Sequence, residues 1–147
     1  MTNDIHVLHP EPRKAATAFI AELRDKKILH KVTSTGRTED EQFALWLQHR
    51  ASLEVVNKQR KHAKMFPIGE KENSYTVTDC DGIEFPSRHQ KLDALDVVPL
   101  GFLGNPIWPP DDDPRWLLIG QIGEKHGFRW GGRWIKPDPS HYEWTPS

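Results

Sequence analysis

His89 and Asp96 stand seven positions apart in the stretch S-R-H-Q-K-L-D-A-L-D, and His141 lies far along the chain in D-P-S-H-Y-E-W. In extended chain, that spacing lets a hairpin or a strand-loop-strand bring the first two together. Two imidazoles and one carboxylate make a sound zinc set, with a fourth position open to water. Water on such an ion gives up its proton near neutral pH, so hydroxide becomes available. By residue type alone a single His is more often a surface or core residue than a ligand. The trio therefore needs support from its surroundings. Rival chemistries find none. Cys80, in T-D-C-D-G, reads as part of a turn before Ile83, and no G-x-S-x-G or cysteine-protease signature accompanies it. Gly131 and Gly132 read as a tight turn, and no P-loop lysine pattern follows them.

The composition says what kind of scaffold must position these groups. The chain has 147 residues, 36% of them hydrophobic, with six Trp and six Phe as large core residues. That suits one domain spanning 1–147, with flexibility confined to the first residues and the last few. Mean hydropathy is -0.70. Lys plus Arg is 20 and Asp plus Glu is 21, a formal charge of -1, which argues against a dedicated nucleic-acid binder. No apolar run is long enough to span a membrane. Met1 to His9 is polar and lacks the apolar stretch of a secretory signal. A lone cysteine forms no internal disulfide.

Nine of the 12 Pro and five of the six Trp lie at or after position 86, so the first half reads as helical and the second as strands and structured loops. A first helix is expected over Pro12 to Asp25, with Ala16, Phe19, Ile20 and Leu23 as its buried stripe. Ile28 to Ser34 reads as a short strand. A second helix starts after Arg37, where Thr38 and Glu41 form a T-x-x-E capping box, and Phe43, Trp46, Leu47 and Leu53 give it an apolar face. Met65 to Asn73 reads as a loop, and Ser74 to Thr78 and Ala94 to Val98 as strands. Gly101 to Asp113 is a long loop. A third helix has Asp113 as N-cap, Pro114 at its first position and Gly127 as its stop. Phe128 to Trp144 reads as short strands and turns. The class is α+β: about three helices on a small antiparallel sheet that carries the zinc site.

Four ordered segments resemble one family. Ser87-x-His89 followed by Ala94-x-Asp96 resembles the S-x-H-x-x-G-x-A-x-D signature of the zinc LAS-type peptidases. These are the D-alanyl-D-alanine carboxypeptidases and L-alanyl-D-glutamate endopeptidases that cut peptidoglycan stem peptides. Thr33 to Thr38, with Gln42 following, is similar to the family's T-S-G-x-R-T…Q stretch. Gly127 to Trp134 is similar to its G-F-x-W-G-G-x-W loop. Asp138-Pro139-Ser140-His141-Tyr142 is similar to its D-x-P-H-F ending. The resemblance covers about Val32 to Trp144. Thr35 and Leu92 stand where the family has Gly, and Ser140 where Pro is common.

The resemblance implies that His89, Asp96 and His141 hold one Zn²⁺. It implies Asp138 as the general base that carries a proton to the leaving amine, and Arg37 as the group that stabilises the oxyanion. Ser87 and Gln42 would hold the site in shape, and Trp130 and Trp134 would pack the loop or wall the substrate groove. Plainer readings stand beside these: Arg37 as a surface residue before a helix, Asp138 and Ser87 as turn residues, and His49 and His62 as solvated residues on a basic helix face.

The expected protein is a zinc metallopeptidase, a peptidoglycan hydrolase. Its small size and lack of a signal suggest a phage endolysin, made in the host cytoplasm and acting as a monomer on the cell wall after release. The D-x-x-H ending favours L-Ala–D-Glu endopeptidase over D-Ala-D-Ala carboxypeptidase. Its partner is the stem peptide, with no nucleic acid and no membrane. Two rivals remain: a zinc-containing wall-binding protein without activity, and a nucleic-acid module built on Arg50 to Lys64. That stretch has five Lys or Arg and one acid, Glu54, but no aromatic for base stacking.

Overall fold

A computed structural model describes residues 1–145. They pack as two compact units, one of Arg37–Lys91 with Met1, the other of Thr2–Gly36 with the chain from Leu92 onward.

The second unit holds the sheet. Helix α1 runs Pro10–Asp25, beginning two residues before the expected start because Pro10 as well as Pro12 suits a first turn that has no side-chain cap. Its stripe of Ala16, Phe19, Ile20 and Leu23 is buried, as the spacing requires. Strands β1 (His30–Ser34), β2 (Ala94–Pro99), β3 (Phe128–Trp130) and β4 (His141–Trp144) form an antiparallel sheet in the order β1-β2-β4-β3. Helix α5, Pro114–Lys125, has the expected start: the Asp113 carboxylate accepts from the Arg115 N–H at 2.9 Å. Gly127 follows it at φ 97°, a left-handed conformation open to glycine.

Alternation along the strands decides which side chains leave the core. On β4, Tyr142 points inward, its ring 4.9 Å from that of Phe19. His141 and Glu143 therefore share the opposite face. Asp96 pairs directly with His141 across β2 and β4, so it joins them there. On β2, Leu95 and Val97 belong to the core cluster with α1 and α5.

The first unit is helical: α2 (Glu39–Leu47), α3 (Leu53–His62) and the short α4 (Glu70–Asn73). The T-x-x-E box is formed, with Thr38 Oγ1 accepting from Glu41 N–H at 3.1 Å and Glu41 Oε1 accepting from Thr38 N–H at 2.9 Å. Four expectations need correction. The second helix ends at Leu47, because His49 adopts φ 71° and its N–H turns to Asn73 Oδ1. Its buried face is Gln42, Ala44 and Leu45, with Phe43 only half-buried. Met65–Asn73 contains α4, whose N-cap, Gly69, donates its N–H to the Glu72 carboxylate. Ser74–Thr78 is not a strand: Tyr75 and Val77 are 60% and 47% exposed, so its apolar residues have no sheet to cover.

Candidate metal centre

Ligand atoms of His89, Asp96 and His141 lie within 4.8 Å of one another. Each reaches its place by a local device. Asp96 and His141 are a directly paired couple in adjacent strands, with His141 Nδ1 3.6 Å from Asp96 Oδ1. His89 lies in a turn. Ser87 Oγ accepts from the His89 N–H at 3.2 Å, Gln90 Oε1 accepts from the Ser87 N–H at 2.8 Å, and Gln90 Nε2 donates to the Gly82 carbonyl at 2.9 Å. Ser87 thus stiffens the backbone on which His89 is mounted. His89 and His141 are 2% and 7% exposed. Two buried imidazoles and a carboxylate converging at this range fit zinc, whose usual ligands are these types.

His141 is also surrounded on its other edge. Its Nε2 lies 3.0 Å from Glu143 Oε1, and the Trp134 ring centroid is 5.3 Å from its own. Burial acts to lower its pKa, but Asp96, Glu143 and Asp138 outweigh this and push it up to about 9 in the metal-free protein. Glu143 was not legible as a site residue from type alone. The available signal was position: two residues after His141 on a strand, it must share that side chain's face.

Asp138 is exposed, at the start of the turn leading into β4. Its N–H donates to the Gly131 carbonyl at 2.9 Å and its carbonyl accepts from His141 N–H at 3.1 Å, so the acid and the last histidine are held by one turn. Gly131 and Gly132 owe their identity to close approach and not to φ. A Cβ on Gly131 would meet the Asp138 carbonyl oxygen at 2.4 Å, and one on Gly132 the Trp130 ring at 2.2 Å. Trp130 is buried and donates its Nε1–H to the Pro139 carbonyl at 2.8 Å. It therefore anchors the same turn from the core. Trp134 lies beside His141 and has the Arg129 guanidinium over its ring at 5.7 Å.

Arg37 precedes α2. Its Nη1 donates to Gln42 Oε1 at 3.2 Å, and Gln42, fully buried, donates through Nε2 to the Cys80 carbonyl (2.9 Å) and Thr78 Oγ1 (3.2 Å). The Arg37 N–H also donates to the His89 carbonyl at 3.4 Å. His49 is exposed and His62 pairs with Asp40 at 3.3 Å, both away from this cluster of contacts. Cys80 contributes its backbone carbonyl, as described, in a half-buried position.

The departures from the family pattern have local accommodations. Thr35 is buried and its hydroxyl donates to the Asp4 carbonyl at 2.9 Å, with the Thr2 carbonyl 3.2 Å away. Leu92 takes φ 57°, a left-handed conformation that a glycine adopts without strain, and its carbonyl accepts from His9 N–H at 3.0 Å. Ser140 Oγ donates to Asp138 Oδ1 at 3.5 Å.

Residues 83–144, which contain all three ligand candidates and Asp138, match the family model described as D-alanyl-D-alanine carboxypeptidase. No curated protein sequence matches the chain. Among solved structures, the fold is similar to the Serratia marcescens L-Ala D-Glu endopeptidase ChiX, at TM-score 0.57 and 18% identity over 96% of this chain and 83% of that one. It is similar to the LdcB LD-carboxypeptidase at TM-score 0.56 and 14% identity, over 94% of this chain and 65% of that one. It is also similar to the vancomycin resistance D,D-pentapeptidase VanY in complex with Zn(II), at TM-score 0.58 and 14% identity, over 93% and 72%. The resemblance read from the motifs holds, as does the α+β class with a small antiparallel sheet, which has four strands; five α-helices, not about three, accompany it among the described residues.

Proposed function

We propose that this chain, a zinc metallopeptidase of the peptidoglycan-cutting kind, hydrolyses the L-Ala–D-Glu bond of the stem peptide as a lysis enzyme of a phage. The observation that carries the reading is the convergence of His89, Asp96 and His141 within 4.8 Å, all inside the matched segment 83–144. These three residues would hold the ion, and zinc there would supply Lewis-acid chemistry that makes a water easier to deprotonate and polarises a carbonyl.

The chain's own residues supply the rest. Asp138, fixed to His141 through the 3.1 Å backbone bond, takes the proton of the attacking water and returns it to the leaving amine. Its exposure leaves it open to substrate. Arg37 meets the oxygen as it becomes anionic. Gln42 holds one arm of its guanidinium in place, which orients the planar fork. Ser87 keeps His89 in its turn. Trp134, beside His141, lines the approach, whereas the buried Trp130 serves the fold.

The whole of 1–147 acts as one peptidase domain, a monomer that reaches the wall after release from the host cytoplasm. No helix of the described residues is long and apolar enough to cross a membrane. The bond assignment follows from Asp138 standing three residues before His141, the D-x-x-H form. D-Ala-D-Ala carboxypeptidase is the second reading, favoured by the description of the matching family model. Mass spectrometry of muropeptides after digestion separates them. L-Ala retained on the glycan as the last residue, with a released D-Glu-headed peptide, supports the endopeptidase. Loss of only a terminal D-Ala supports the carboxypeptidase, and an unchanged profile overturns both.

A further inference from the structure

We propose that Glu143 is a positioning residue for the zinc ligand His141, fixing which ring nitrogen faces the metal. The proposal rests on the reading of His141 as a ligand.

An imidazole offers two nitrogens on opposite edges of one ring, and only the deprotonated one can bind a metal. Here Nδ1 lies on the Asp96 side, 3.6 Å from Oδ1, while Nε2 lies 3.0 Å from Glu143 Oε1. A carboxylate accepts and cannot donate, so Glu143 requires the proton to sit on Nε2. That leaves the Nδ1 lone pair for the ion. Glu143 faces the far edge of the ring, which separates its role from that of Asp96. It is 9% exposed, and a bond to a buried carboxylate is stronger than one in water.

The geometry comes directly from the strand. His141 and Glu143 are two apart on β4 and share the face turned from the core. His141 pairs with Asp96 on β2, and Glu143 has a neighbour on either side, Ala94 on β2 and Arg129 on β3. Glu143 is therefore held by a central strand. Trp134, 5.3 Å from the His141 ring, closes another side of it. Such outer partners of ligating histidines commonly contribute about 10- to 100-fold in metal affinity.

The test measures zinc affinity, by competition with a chromophoric chelator, for wild type, Glu143→Gln, Glu143→Ala and His141→Ala, each checked for folding by thermal melting. Nitrogen NMR of His141 in the zinc-loaded wild type and Glu143→Gln proteins gives a second readout. The expected order is wild type, then Glu143→Gln about 10-fold weaker, then Glu143→Ala weaker again. The wild type should show a protonated Nε2 and a metal-bound Nδ1. Gln keeps the shape and can still accept, so Glu143→Gln remains informative if Glu143→Ala does not fold. Affinities of the folded Glu143 variants within twofold of wild type, with His141→Ala losing zinc, would overturn this role and leave the metal site standing. Zinc bound through Nε2 of His141 would also overturn it. Full zinc binding by His141→Ala would overturn the ligand assignment itself, and this role with it.

Discussion

Gly131→Ala tests whether the turn carrying Asp138 and His141 is held by backbone contact. The new Cβ would stand 2.4 Å from the Asp138 carbonyl oxygen and 3.2 Å from its Cβ. Ordinary van der Waals contacts begin near 3.4 Å, so the turn must retreat by about 1 Å. The obstacle is main chain, which cannot rotate aside as a flexible side-chain end would. The same carbonyl accepts from His141 N–H, and Gly131 O accepts from Asp138 N–H, so the shift passes to both residues. Overpacking of this kind costs about 1–3 kcal/mol of stability. A displacement on this scale at a reacting group costs up to roughly 100-fold in rate. We expect weaker zinc binding and a much slower reaction in the fraction that remains folded. Gly104→Ala is the control: its φ of 79° makes the substitution strained, yet nothing lies within 4 Å. It should lose stability without loss of zinc affinity or turnover. Melting temperature, zinc affinity and rate of peptidoglycan hydrolysis measure the outcome. A Gly131→Ala protein with wild-type zinc affinity and rate would refute the claim that this contact sets the site.

Asp138→Asn should keep its zinc and lose on the order of 100-fold or more in rate, whereas Asp96→Asn should lose zinc; equal zinc loss in both variants would make Asp138 a ligand. Arg37→Lys keeps charge but loses the planar fork held by Gln42, and should lower turnover by about 100- to 1000-fold with substrate affinity and zinc content unchanged; normal turnover with a lowered melting temperature would leave Arg37 as a brace for α2. In the metal-free protein, the His141 pKa of about 9 lies above its unfolded value of 6.5. The charged form thus stabilises the fold fully below pH 6.5, and this contribution is lost as pH rises through about 9. Melting temperature of chelated protein should fall across that window, and zinc binding at pH near 7 should release a proton, read by calorimetry in two buffers; a flat profile and no proton release would show that His141 is neutral without metal.

The features legible in the sequence are those set by local rules. Asp113 and Pro114 start a helix because a carboxylate and a residue lacking an N–H suit its first turn. Thr38 and Glu41 cap another. The motifs singled out His89, Asp96 and His141 as candidates, but their approach to one another depends on tertiary structure, including the Asp96–His141 strand pair, that no local pattern states. What escaped depends on tertiary partners. Ser74–Thr78 carries strand-type residues without a sheet to join. The helix after Thr38 stops at Leu47 because Asn73 captures the His49 N–H from a distant segment. Gly131 and Gly132 looked like turn residues, yet the carbonyl of Asp138 and the ring of Trp130 are what exclude a Cβ. Glu143 needed the strand assignment of residues 141–144 before its side chain could be placed beside His141.

The central claim is that three side chains hold the catalytic zinc. Its most direct test is the metal content per chain of purified wild type, His89→Ala, Asp96→Ala and His141→Ala. One zinc ion in the wild type and loss of most of it in each variant is the predicted result, since three protein ligands leave none to spare. Two of the three variants retaining one zinc per chain would contradict the account.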